Sequence, residues 1–236
     1  MHFTRLAVVA LMFALTQAAS AQSISGFDHH AVLQQAEPRP LVVGEALEQE
    51  TGRSLPLHFE LQVPHAEGLV NVEIDTSNPN LYATIIFRTP EGYTAERTQI
   101  LDASVPAGRL KEREESLVNM LQNEILPMLG DLPELRVLGT IAGSVGRHPA
   151  MELIAVYNDA NGVGPVLLRI AGAFPPQGER ILVTVSQVAG VHVPFTHARD
   201  LVGTMSYAML ETLNFRHRRT EDGSLAQLLG ALVREH

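Results

Sequence analysis

Met151–Tyr157 (MELIAVY), Val166–Ala173 (VLLRIAGA) and Arg180–Gln187 (RILVTVSQ), followed by Ala198–Leu213 (ARDLVGTMSYAMLETL), decide how this chain is read. The first three runs are β-branched or aliphatic and near-continuous. Such runs predict central strands covered on both faces. Asn158-Asp159-Ala160-Asn161-Gly162 and Pro175-Pro176-Gln177-Gly178-Glu179 separate them. Gly tolerates positive φ, Asn and Asp bond their own backbone, and Pro fixes φ, so both separators predict turns. In the fourth run Leu201, Met205, Met209 and Leu213 recur every four residues, with Val202 and Thr212 flanking them. That spacing predicts a helix over 198–213 with one apolar face. Burying four such side chains contributes roughly 6–12 kcal/mol as an upper bound. The preceding sheet is the natural partner for that face.

Upstream, Leu57, Phe59, Leu61 and Val63 alternate with His58, Glu60 and Gln62, and Val70, Val72 and Ile74 with Asn71, Glu73 and Asp75. Both read as half-buried strands with one wet face. Leu81–Arg88 reads as a third strand, ended by Thr89-Pro90-Glu91-Gly92. Leu110, Leu117, Leu121, Ile125 and Met128 then mark one face of a helix. Glu112, Glu114 and Glu115 suit its early turns, and Pro127 and Gly130 its end. Leu135–Ser144 reads as a further strand. The resulting order is three strands, a helix, four strands, a helix. It predicts the α+β class: a mainly antiparallel sheet of about six or seven strands packed with two helices, an αβα sandwich. A short C-terminal helix follows at Ser224–Val233, with Leu225, Leu228, Leu229 and Leu232 as its stripe.

Residues 1–21 have the three regions of a secretory signal peptide: Arg5, the apolar run Leu6–Leu15, and Ala19-Ser20-Ala21 before the expected cleavage. That run is too short for a permanent membrane anchor. Residues 22–54 read as a linker or extension in which Val42–Glu50 forms a short helix. Residues 55–215 are the α+β domain, and 216–236 a helical tail. The expected location is periplasmic or secreted. The chain has no Cys, which excludes disulfides, thiolate metal sites and a lipid-bearing cysteine. Its formal charge is −9, an acidic balance that argues against nucleic acid as a partner.

The element order resembles the PsbP-like fold, an αβα sandwich shared by the extrinsic photosystem II protein PsbP, a Ran-binding nucleotide release factor and DcrB-like exported bacterial proteins. The resemblance spans about residues 55–215. It rests on that order, on Gly146-Arg147-His148-Pro149-Ala150-Met151 leading into a hairpin, and on Leu210-Glu211-Thr212-Leu213-Asn214-Phe215 ending the late helix. The lack of a lipid-bearing Cys departs from the DcrB-like members. The resemblance implies an accessory or binding role and supplies no catalytic residues.

Chemistry-bearing candidates are few. His192 and His197 flank Pro194 and are the first choice for a metal, with His29 and His30 next; loop histidines are the ordinary alternative. Asn71, Glu73 and Asp75 share a strand face that is a weak cation candidate or simply solvated. Gly143-Ser144-Val145-Gly146 lacks the glycine two residues before Ser144 that a nucleophile elbow needs. No HExxH, phosphate-loop or dinucleotide-binding pattern is present. Arg216, His217, Arg218 and Arg219 follow the closing helix, where cations suit its C-terminus or meet an anionic partner. The expectation is a non-enzymatic accessory or binding protein of the bacterial envelope, with a protein partner and no cofactor. The alternatives are a periplasmic metal-dependent hydrolase and a carrier of apolar ligands in a cavity between sheet and helix.

Overall fold

A computed structural model describes Leu33 and residues 35–159, 164–176, 178–195 and 197–216. The expected signal peptide, His29, His30, His217, Arg218, Arg219 and the expected C-terminal helix lie outside these residues. In chain order the elements are β1 (Glu37–Val43), α1 (Glu45–Thr51), β2 (His58–His65), β3 (Val70–Ile74), β4 (Leu81–Arg88), β5 (Thr94–Ser104), α2 (Leu110–Met120), β6 (Arg136–Val145), β7 (His148–Asn158), β8 (Pro165–Ala173), β9 (Arg180–Ala189), α3 (Met205–Leu210) and β10 (Asn214–Arg216). Seven strands form one sheet in the order β3-β4-β5-β9-β8-β7-β6, and three form another in the order β1-β2-β10. Every pairing is antiparallel.

Alternation along β8 shows how both faces of the large sheet are used. Val166, Leu168 and Ile170 pack in the cluster that contains Leu117, Leu121, Ile125 and Leu129 of α2 and its extension. Ala171 and Ala173 point the other way, into a cluster with Phe59 and Leu61 of β2 and Met205, Met209 and Leu210 of α3. The helices therefore cover opposite faces, and the small sheet shares the second face with α3.

Three departures from the sequence reading have physical causes. The stretch Thr94–Ser104 is β5, a central strand, paired to β4 and β9. It shows no clean apolar alternation because Glu96, Thr98, Gln99 and Asp102 are buried along it. The closing helix is split. Ala198–Gly203 is a 3₁₀ turn, and the α-helix begins only at Met205. Thr204 is extended (φ −84°, ψ 153°), and its Oγ1 accepts from the Tyr207 N–H, which is N-cap geometry. The predicted stripe nevertheless points inward: Leu201, Met205, Met209 and Leu213 are all buried, while Val202 is 62% exposed. Finally, Glu37–Pro40, linker-like for its prolines, belongs to β1. Pro38 and Pro40 pair opposite Pro64 and Gln62 on an edge strand, where a missing N–H is tolerated.

α2 does not stop at Met120. It continues through a π turn (Leu121–Ile125), one α turn (Leu126–Met128) and a 3₁₀ turn (Leu129–Asp131). The Leu126 N–H donates to the Leu121 carbonyl, five residues back. Pro127 has no N–H and its ring crowds the carbonyl four residues earlier, so the widened turn falls where the proline demands it.

Candidate functional site

The described cavity that matters most lies between the second half of the α2 rod and the sheet. It has a volume of about 270 Å³. Leu101 and Ala103 of β5, Ile170 of β8, and Val183 and Val185 of β9 form its floor. Leu117, Met120, Leu121, Ile125 and Met128 form its roof, and the exposed Asn123 and Glu124 border its solvent side with Asn80. The π turn contributes four of these residues, a placement such turns often have at ligand sites.

Two features hold the roof in place. Gly172 lies under Leu117, and a Cβ there would come within 2.4 Å of the Leu117 Cδ2. The helix approaches β8 this closely only because the position has no side chain. Near the helix start, the buried Arg113 donates to the carbonyls of Pro175 (3.2 Å) and Arg180 (3.3 Å), with its guanidinium 5.2 Å from the Phe174 ring centroid. The lining offers no His, Ser, Thr, Cys or Lys. The site can shelter an apolar group; the carboxylates on its lining are Asp102, which is paired with Arg180, and the exposed Glu124.

The other face of the sheet carries buried polar chemistry. Glu96 on β5 accepts from the Met205 N–H (3.0 Å), the Ser206 N–H (2.8 Å) and the Ser206 hydroxyl (2.6 Å), and so fixes the start of α3. Arg169 on β8 forks onto Glu152 on β7 at 2.8 and 2.9 Å, with the Tyr207 ring 5.0 Å from the guanidinium carbon. The Thr98 and Ser186 hydroxyls bond at 3.1 Å between them. Each side chain is engaged, with the Arg169 Nη1 alone among these atoms buried without a hydrogen bond, and the set reads as an anchor for the covering layer.

The sequence candidates are dispersed. The His192 ring stacks on Tyr93 (centroids 5.6 Å, planes 10° apart), and burial holds its pKa below the usual histidine value. His197 caps the 3₁₀ turn at Ala198, and its N–H donates to the Asp200 carboxylate at 2.9 Å. Among the described residues no group of three or more His, Asp or Glu side chains is placed to hold a metal ion. Asn71 donates to Glu73, while Asp75 accepts from Ser77 and Asn78 in a local turn. Arg216 pairs with Glu60 across β10 and β2. The sequence reading missed Leu101 and Ala103 because it missed β5. It did place Leu117, Leu121, Ile125 and Met128 on one helix face.

No family model matches the chain, and no curated protein matches it. Some solved structures are similar to it. The Synechocystis PsbP (CyanoP) is 7% identical, over 75% of this chain and 92% of that one, with a TM-score of 0.42. LpqN, involved in cell envelope biogenesis of Mycobacterium tuberculosis, is 11% identical over 82% and 100%, with a TM-score of 0.43. The Saccharomyces cerevisiae Ran-binding protein Mog1p is 14% identical over 75% and 96%, with a TM-score of 0.42. PsbP and a Ran-binding protein are also the kinds of protein that the sequence resembles. At these values the likeness carries nothing about what this chain binds.

Proposed function

We propose that the chain is an exported binding protein of the bacterial envelope, without catalysis, and that it takes an apolar ligand in the groove beneath α2. The observation that carries this reading is the apolar cavity itself, floored by β5, β8 and β9 and roofed by a helix with a π turn. Its volume of about 270 Å³ exceeds that of a cavity holding benzene, about 150 Å³, and falls just short of the pockets that take drug-sized ligands, about 300 Å³ and above. A short acyl chain or a single ring fits that space. Met120 and Met128 at its border are flexible side chains able to adapt to the occupant. The leader read from residues 1–21 supports the envelope as the place of action, and the acidic charge disfavours nucleic acid.

The test is titration of the purified chain with a fluorescent fatty acid, beside native mass spectrometry of the protein as isolated. One probe per chain is expected, with binding lost in Ala103→Trp, which fills the floor. Absence of probe binding together with no co-purified apolar molecule sinks the ligand reading and leaves the accessory role through a protein partner.

A further inference from the structure

The two outer strands of the seven-stranded sheet differ. β3 is five residues long and exposes Asn71 and Glu73 beside Val72, a short edge whose charge is of the kind that discourages pairing. β6 is ten residues long, its outer side meets no other strand among the described residues, and no ionisable side chain occurs from Val137 to Val145. Val137, Leu138 and Ile141 are 39%, 39% and 49% exposed. A long, uncharged, apolar edge is a template for another strand.

The sequence of that edge is symmetric about one residue. Gly139-Thr140-Ile141-Ala142-Gly143 has Ile141 at its centre, small residues beside it and glycines beyond. We propose that two copies of this chain pair edge to edge through β6, antiparallel, with Ile141 on the two-fold axis. In that register Ile141 meets its own copy, Thr140 meets the partner's Ala142, and Gly139 meets the partner's Gly143. Self-complementarity of this kind is what a two-fold contact requires. The glycines leave room on each side for the paired isoleucines.

The surroundings suit the contact. The register against β7 shifts between Val137 and Gly139, which ends the regular edge at Gly139 and leaves Gly139–Gly143 to pair about Ile141, a short but ordinary strand length. The carboxylate of Glu152 lies over Gly143, where a Cβ would come within 2.8 Å of its Oε1. Arg169 neutralises that carboxylate, so it brings no unbalanced charge to the axis. The contact is small beside standard interfaces, so the dimer is concentration-dependent.

The absence of cysteine gives a direct test on the full chain. Ile141→Cys introduces a single thiol whose symmetry mate lies at disulfide distance across an antiparallel pair. The control is Thr140→Cys, whose mate lies one diagonal away and beyond bridging range. Under mild oxidation at about 100 µM, Ile141→Cys is expected to form covalent dimer at least about tenfold faster than the control. By light scattering, Ile141→Lys, which sets like charges opposite each other at an exposed position, is expected to raise the dimer dissociation constant at least about tenfold. Equal cross-linking of the two cysteine variants overturns the proposal, as does a dimer indifferent to Ile141→Lys. A chain that stays monomeric at about 100 µM with neither variant cross-linking also overturns it, and leaves β6 to an extended peptide or to the chain's own residues 217–236.

Discussion

Leu117, Leu121, Ile125 and Leu129 hold the α2 rod to one face of the large sheet mainly by apolar contact, with Arg113 tying its start to the backbone. On the opposite face, Glu96 binds the first amides of α3, and Arg169 and Glu152 form a buried ion pair beneath its Tyr207. Apolar contact is non-directional, so a long helix can lie on its face and leave a cavity beside it. Hydrogen bonds to buried charges fix position, so a six-residue helix too short to be stable alone is held in one place. The adaptable face is the one that leaves room for the cavity, and the specified face is the one that keeps the covering layer in register.

Breaking the polar face should cost most. Glu152→Ala leaves the Arg169 guanidinium buried without its counter-charge, and urea unfolding should show a loss of about 3–5 kcal/mol. Glu152→Met with Arg169→Met together should recover most of that loss. If the single change is mild, the pair is not what holds this face. On the apolar face, Leu117→Ala should cost about 2–4 kcal/mol through its cavity. Gly172→Ala should cost about 1–3 kcal/mol by overpacking against Leu117. The double variant should lose less than the sum of the two, because trimming Leu117 clears the space that the new methyl needs. Simple additivity would mean that the close approach is not the reason for the glycine.

The smallest effect is on pH. His148 is buried against Phe215, with ring centroids 4.6 Å apart, and burial first and Arg147 second hold its pKa below the usual 6.5. The unfolded chain therefore takes up this proton at higher pH than the folded one. Stability from this group is constant above about pH 6.5 and falls as pH drops from there through the lower folded pKa. His192, lowered by burial in the same direction, adds to the slope. His148→Phe should flatten the change in urea midpoint between about pH 7.5 and pH 5.5. An unchanged slope would place the acid sensitivity elsewhere.

Much of the arrangement was legible from period and turn chemistry. Leu81–Arg88 is predicted with the bounds that β4 has, and the runs around Leu153, Leu168 and Val183 are central strands, as their continuous apolar character requires. What escaped was the polar face. β5 buries Glu96, Thr98, Gln99 and Asp102, so neither the alternating nor the continuous apolar pattern marks it. The partners that make Glu96, Thr98 and Asp102 tolerable come from α3 and β9, far away in sequence. The break at Thr204 was hidden for a related reason. The spacing of Leu201, Met205 and Met209 fits a helix, yet Glu96 and the Thr204 cap set where its amides begin. Of the groove, the helical roof was readable. Its floor was incomplete without β5, and the room beneath the roof depends on how closely Leu117 settles on Gly172.

The π turn at Leu121–Ile125 has a consequence for which residues α2 and its extension can present to the sheet. In ordinary α winding, each step of four residues overshoots a full rotation by about 40°, so a strict four-residue spacing wanders around the cylinder. Leu117, Leu121, Ile125 and Leu129 keep that spacing and are all buried. The slower rotation of the wide turn absorbs part of the overshoot, so the ridge stays aimed at the strands for longer than a regular helix allows. Removing one residue from this turn would restore ordinary winding with eleven steps from Leu117 to Leu129, about 20° past three full rotations, so the ridge would keep its aim and the turn carries one residue more than that aim requires.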